Sequence, residues 1–252
     1  MKKLLIAGGA AMALGLAGVV AVAAGWYFLI RENAELASDP PEIPAALLNV
    51  TTSPTTAAST TGLTATTAPT TGATLAYQIK SDLSEAAYFV DEELASVGIP
   101  STAKGATNEV SGTLYLTGDG TALAADQTSS FSVKLRNLTS DKSMRDQRVQ
   151  QALETSRYPT ATFTITSVSG YNPGVAEGQE QTLQLSGVLD LHGVQKPVTW
   201  EVKAYRQGNV ISALATVTVK FSDFNITPPR FRGLLSISDQ ATLQVQLIAQ
   251  AG

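Results

Sequence analysis

From residue 77 to the C-terminus, apolar and polar side chains alternate. Val198, Trp200, Val202 and Ala204 are separated by Thr199, Glu201 and Lys203. Ile211, Ala213, Ala215, Val217, Val219 and Phe221 share one parity, and so do Leu183, Leu185, Gly187, Leu189 and Leu191. Phe131, Val133 and Leu135, then Val110, Leu114 and Leu116, and finally Leu243, Val245 and Leu247 repeat the pattern. Successive side chains of a strand point to opposite faces, so this period of two predicts strands with one buried face. Gly118-Asp119-Gly120, Asn172-Pro173-Gly174 and Gln207-Gly208-Asn209 are turn signals between the runs, the last of them a hairpin turn. With weaker strands near 76–80 and 84–91, about eight strands are predicted. Between Ser143 and Leu153 the pattern changes. The stretch is rich in charge and Gln, and Met144, Val149 and Leu153 have helical spacing, which predicts one short helix.

Eight antiparallel strands joined mainly by short turns fit a barrel or a sandwich, and an up-and-down barrel removes exposed edges. An eight-stranded barrel is either filled by its own side chains or holds one small ligand. Ala213, Ala215 and Gly187 are small members of the inward set. They leave a cavity or face bulky partners across a packed core, and the pattern allows both.

The first part of the chain is different. Met1-Lys2-Lys3 precedes an uncharged, predominantly apolar run from Leu4 to Ile30, longer than the roughly 20 residues that span a bilayer. Residues 1–31 are therefore expected to form a transmembrane helix. Lys2 and Lys3 place its N-terminus in the cytoplasm and the rest of the chain outside, with Trp26 and Tyr27 near the outer interface. Ala21-Val22-Ala23 also resembles a signal-peptide cleavage site, and cleavage would release the same domain as an exported protein. Residues 32–74 form a Pro/Thr-rich linker with few large apolar side chains, expected to be a disordered, extended tether. Residues 75–252 are the folded domain.

Charge and reactive groups narrow the function. A formal net charge of −4 offers no large basic surface for a nucleic-acid backbone. With no cysteine, disulfides, thiolate–zinc sites and thiol nucleophiles are excluded. No Ser/His/Asp motif, metal cluster or Gly-rich phosphate loop is present, and the paired carboxylates Glu92 and Glu93 read as solvated. An enzyme is therefore not expected, and no cofactor is implied. His192 is the single histidine, set beside Gly193 in a tight turn, and reads as a structural or surface residue. Arg145 and Arg148 lie three apart on one helical face. Pro228-Pro229-Arg230-Phe231-Arg232 reads as a solvated loop with a basic, aromatic tip.

Several landmarks occur together and in order. Val110-Ser111-Gly112 opens a strand, and Arg145-Asp146 lies in the helical segment. Tyr158-Pro159-Thr160-Ala161-Thr162-Phe163 enters another strand. The stretch from Ser186 through Gly187, Leu189, Gly193, Lys196 and Pro197 to Val198 follows, and then Phe221-Ser222-Asp223-Phe224-Asn225-Ile226. With these residues the domain resembles the YceI-like family of polyisoprenoid-binding β-barrels from bacterial envelopes and exported proteins. The resemblance implies an eight-stranded antiparallel, lipocalin-like barrel with an apolar tunnel that binds a long isoprenoid or similar lipid.

Two readings of function follow. The first is an extracytoplasmic, membrane-anchored module that holds a polyisoprenoid or related amphiphile. Its candidate tunnel lining is Phe131, Val133, Phe163, Ile165, Leu185, Leu189, Trp200, Val217, Val219, Val245 and Leu247, with Arg145 and Asp146 as candidates for a head-group clamp at the mouth. The second is a ligand-free structural or protein-interaction domain of the envelope with a packed barrel.

Overall fold

The computed structural model describes residues 34–48, 74–94, 99–229 and 234–252. The expected membrane-spanning stretch 1–31 and the Thr-rich stretch 49–73 lie outside the described residues. Among those described, no helix is long and apolar enough to cross a membrane.

Eleven strands form one antiparallel sheet. They are β1 (Thr74–Ile79), β2 (Glu85–Leu94), β3 (Ile99–Thr107), β4 (Val110–Thr117), β5 (Ser130–Lys134) and β6 (Thr160–Ser169), followed by β7 (Gln181–Leu191), β8 (Val194–Gln207), β9 (Val210–Lys220), β10 (Leu234–Ile237) and β11 (Gln240–Ala251). Among the described residues two α-helices accompany them, the single turn α1 (Ala45–Leu48) and α2 (Ser143–Ala152).

The registers reduce eleven strands to eight staves. β1 pairs with β4 (Tyr77 opposite Leu114) and β2 with β3 (Phe89 opposite Lys104) in registers that differ by only two residues. β1 and β2 are thus two halves of one stave, interrupted by the 3-10 turn Ser81–Leu83, and β3 and β4 are the two halves of its neighbour. Likewise β10 prolongs β11. Both pair with β2, Ile237 opposite Glu92 and Thr242 opposite Phe89. β5 to β9 follow in order as simple neighbours, and β11 returns to β1 through Tyr77–Ala251 and Ile79–Ala249. The ring of β1, β4 to β9 and β11 is closed, while β3 and β10 each pair with β2 alone at one end of it.

Tight turns fix these registers. His192 and Gly193 both have positive φ, 56° and 73°, between the paired residues Leu191 and Val194. That is a type I′ hairpin turn, whose twist matches that of the flanking strands. Gly208, with φ of 58°, starts the two-residue loop between Gln207 and Val210 that the Gly-Asn signal predicts. At Gly187 the requirement is space. A Cβ there would sit 2.1 Å from the Thr164 carbonyl and 2.8 Å from the Phe163 ring, at the point where the β6–β7 register shifts.

The two ends of the barrel differ. One, the helix end, carries α2, the end of β2 with the start of β3, the His192 turn and the end of β9. The other, the far end, gathers the start of β1, the β4–β5, β6–β7 and β8–β9 loops, and the C-terminus. The helix turns its 145, 148, 149, 152 and 153 positions to the barrel interior. Met144, expected on its apolar side, is 68% exposed. The inward stripe starts one position later, at Arg145, whose charge is met by the buried Glu92 and the more exposed Asp141, so apolar spacing alone placed the face wrongly.

Residues 34–48, part of the stretch expected to be a free tether, lie along the outer wall of β8, β9 and β11. The Ala37 N–H donates to Gln244 Oε1 at 2.8 Å, and Gln244 Nε2 donates back to the Ala37 carbonyl at 3.0 Å. Lys203 Nζ donates to the Ser38 carbonyl at 2.8 Å. The Pro41 carbonyl accepts from both the Tyr205 and Ser212 hydroxyls, and the Ile43 N–H donates to the Tyr205 oxygen. Ser212 and Gln244 are buried, as are Leu214 and Ile248 of the same outward parity. Fully burying a Leu or Ile side chain contributes roughly 1.5–3 kcal/mol. Pro40, Pro41 and Pro44 hold φ fixed before docking, which lowers the entropy cost of ordering this strap.

Candidate functional site

The inward faces of the staves enclose a hollow interior rather than a packed one. An apolar cavity of about 670 Å³ runs through the barrel from Val149 and Leu153 of α2 to Leu123 and Tyr171 at the far end. This lies within the range of roughly 300–1,000 Å³ typical of small-molecule sites. Strand alternation builds its wall directly. Ala213, Ala215 and Val219 of β9, Val245, Leu247 and Ala249 of β11, and Leu185, Leu189 and Leu191 of β7 all face it.

Of the eleven predicted lining residues, nine touch the cavity: Phe131, Val133, Phe163, Leu185, Leu189, Trp200, Val219, Val245 and Leu247. Ile165 and Val217 instead pack within the surrounding apolar core without reaching it. Ile165 sits at the register shift of β6, after which Thr166, Ser167 and Val168 come to the wall. The small residues divide. Gly187 makes room for the Phe163 ring, whereas Ala213 and Ala215 border open space. The Phe163 and Trp200 rings meet at 5.8 Å between centroids, tilted by 59°. The Trp200 indole N–H is buried in this wall without a hydrogen-bond partner. Leaving such a donor unmet costs about 1–3 kcal/mol.

The helix end of the cavity is closed by charge. Arg145 Nη2 lies 2.7 Å from Glu92 Oε1, with side chains only 11% and 4% exposed, and Nη1 pairs with Asp141. Glu92 is therefore not solvated. Strand parity places Ala86, Tyr88, Val90 and Glu92 on the inner face together, and Arg145 supplies the charge that allows a carboxylate there. Burial disfavours the charge on Arg145, but the Glu92 and Asp141 carboxylates more than offset this and hold its pKa above the ordinary value. Beside them the Tyr88 phenol is pushed up to about 12, chiefly by burial and against the lowering influence of Arg145. Tyr88 lies over Gly105 on β3, where any side chain would strike its ring.

The structure places Arg145 and Asp146 in different surroundings. Asp146 turns away from the cavity, and its Oδ1 accepts from the Ser140 N–H and hydroxyl at 2.8 and 2.6 Å, fastening the start of α2. Arg145 borders the cavity together with Arg148. Glu92 and Tyr88 are the site residues that the sequence reading missed, although the parity of β2 carried the signal. His192 is buried. Its Nδ1 lies 3.0 Å from the Phe224 carbonyl and its ring packs edge-on to Tyr158 at 4.8 Å, tying the β7–β8 turn to the loop after β9. Of the 228–232 loop, Pro229 borders the cavity, and residues 230–233 lie outside the described part.

Comparison with known proteins agrees with this architecture. A family model described as the YceI-like domain matches residues 77–249. Protein YceI of Salmonella arizonae is 32% identical over 165 residues, covering 62% of this chain and 80% of that protein. Among solved structures, a polyisoprenoid binding domain from Saccharophagus degradans, implicated in plant cell wall breakdown, superposes with a TM-score of 0.53 at 18% identity. It spans 71% of this chain and 99% of its own. Burkholderia cenocepacia BcnA gives 0.52 at 17% identity, over 68% and 99% of the two chains. At such identities the superpositions speak for the fold, and the family match speaks for descent. Closed eight-stave barrel, apolar bore and a match over most of the chain together place this protein in the YceI-like family.

Proposed function

We propose that this protein holds a polyisoprenoid or similar long amphiphile in its barrel, and that its N-terminal apolar run anchors it at the outer face of a bacterial cell membrane. The observation that carries the reading is the continuous apolar cavity, about 670 Å³, lined along its length by strand side chains. Each CH₂ group moved from water into such a bore contributes roughly 0.8 kcal/mol, so a long branched hydrocarbon suits it and a compact polar metabolite does not. The relative from Saccharophagus degradans, named as polyisoprenoid binding, supports the same ligand class. Anchoring draws on the uncharged stretch between Lys3 and Arg31 and on the two preceding lysines. The closed helix end, where Arg145 is already neutralised by two acids, favours a ligand whose long apolar part, rather than a strong anion, provides most of the affinity.

The test is native mass spectrometry of residues 32–252, purified without detergent and followed by solvent extraction. The expected result is one bound lipid per chain, absent from an Ala213→Trp variant whose circular dichroism is unchanged. An unliganded mass, together with no uptake of added polyisoprenoid, would overturn the reading in favour of a barrel that acts through its outer surface.

A further inference from the structure

At the far end the barrel wall has a slot. β5 begins at Ser130, opposite Thr164, and one further bond, from the Ile165 N–H to the Ser129 carbonyl at 3.0 Å, ends its contact with β6. β6 runs on to Ser169 with β7 as its partner. Across the slot, residues 121–124 turn back onto β4. Leu123 lies opposite Leu116, and the Thr117 N–H donates to the Ala122 carbonyl at 2.9 Å. No hydrogen bond among the described residues joins this return to residues 166–169. Thr121, Ala122, Thr166, Ser167 and Ser169 border the cavity and are exposed, so the bore meets solvent here.

Arg206 lies across this mouth. It continues the inward parity of Trp200, Val202 and Ala204 on β8. β8 and β4 stand on opposite sides of the eight-stave ring. Yet the Arg206 guanidinium reaches the turn after β4, because a Cβ added at Gly120 would lie 2.8 Å from its Nη1. Gly120, with φ of 69°, both makes the turn and leaves room for the cation. The Arg206 side chain is 39% exposed, and the one acid within 4.0 Å of it among the described residues is Glu177, at that distance from Nη2. Glu177 itself accepts from the Gly208 N–H at 3.3 Å, at the β8–β9 turn. Asp119 is engaged in its own turn, where its Oδ1 accepts from the Thr117 hydroxyl and the Thr121 N–H at 2.6 and 3.1 Å. The contrast is with Arg145 at the helix end, which two carboxylates already hold. Tyr171 and Gln181 border the cavity beside Arg206, and Gln181 spends only its Oε1, on the Asn172 N–H at 2.9 Å.

Resting on the reading that the bore holds an amphiphile, we propose that this mouth holds the ligand's polar head and that Arg206 takes an anionic oxygen of it, from a phosphate or a carboxylate. A guanidinium presents a planar fork of N–H donors that meets either group with two parallel bonds. Behind it Leu116, Leu183 and Ala204 receive the first part of the tail, which runs on toward α2. The tail supplies most of the affinity and the head selects. The end closed by Arg145 and Glu92 then limits how far the tail reaches.

The test uses the full chain in phosphatidylcholine nanodiscs and a geranylgeranyl phosphate that carries a diazirine beside its phosphate. Cross-linked peptides are read by mass spectrometry, and cross-links within residues 119–123 and 167–171 and around position 206 are expected. Unlabelled geranylgeranyl phosphate, geranylgeranoic acid and geranylgeraniol, which share one tail, then compete with the probe. Comparing each competitor between variant and wild type cancels its partition into the bilayer. In Arg206→Gln the two charged competitors weaken by roughly tenfold or more, the alcohol is unchanged, and Arg206→Lys restores part of the loss. The larger of the two losses tells phosphate from carboxylate. Cross-links on α2, or a change equal for all three competitors, would overturn the head site and leave lipid holding intact. A barrel that takes no label, or label that none of the three competes away, would remove the lipid-holding reading and the head site with it.

Discussion

Glu92 sits at the closed end of an apolar bore with 4% of its side chain exposed, paired with Arg145 at 2.7 Å. Arg145→Met removes the compensating charge and leaves the carboxylate buried. Breaking a buried pair in this way costs about 3–5 kcal/mol, a large part of the roughly 5–15 kcal/mol that holds a domain together. Urea unfolding of residues 32–252, followed by fluorescence of Trp200, their only tryptophan, measures this directly. Glu92→Gln combined with Arg145→Met returns most of the stability, because no unpaired charge is then left in the wall. A loss below about 1 kcal/mol in the single variant would show that water reaches Glu92 and that the pair is not buried.

Two further outcomes test the barrel frame. Gly187→Ala forces a methyl against the Thr164 carbonyl and the Phe163 ring, and a loss of about 3 kcal/mol or a failure to fold is expected in the same unfolding assay. Tyr88 has its pKa raised from 10.0 to about 12. The unfolded chain therefore releases this proton first, and stability falls by about 2 kcal/mol as pH rises from 10 to 12. Tyr88→Phe removes that part of the alkaline loss, seen as a smaller shift of the urea midpoint between pH 9 and 11.5.

Alternation read β7, β8, β9 and β11, because in each of these strands one parity supplies most of the residues that face the bore, with Val217 of β9 the inward residue that stops short of it. It read β1 and β2 as weak strands, because the turn Ser81–Leu83 resets the alternation within what is structurally one stave. Glu92 was misplaced for a different reason. A lone carboxylate reads as solvated unless its partner is known, and Arg145 comes from a helix 53 residues later. The strap was least legible. Its composition describes a chain with little to bury, whereas its fixed place depends on the Pro41 carbonyl, which every residue type carries, finding two hydroxyls on β8 and β9.

Much of the bore is walled by alanine: Ala86, Ala103, Ala161, Ala204, Ala213, Ala215, Ala241 and Ala249 all face it. None of these methyl groups takes part in the hydrogen bonds that hold the staves in register. Each is one small codon change from valine, so natural drift can narrow the channel at one height or another while the frame stays intact. On the proposed lipid-holding function, the room left for a ligand is then a dimension that single methyl-sized steps adjust without rebuilding the barrel.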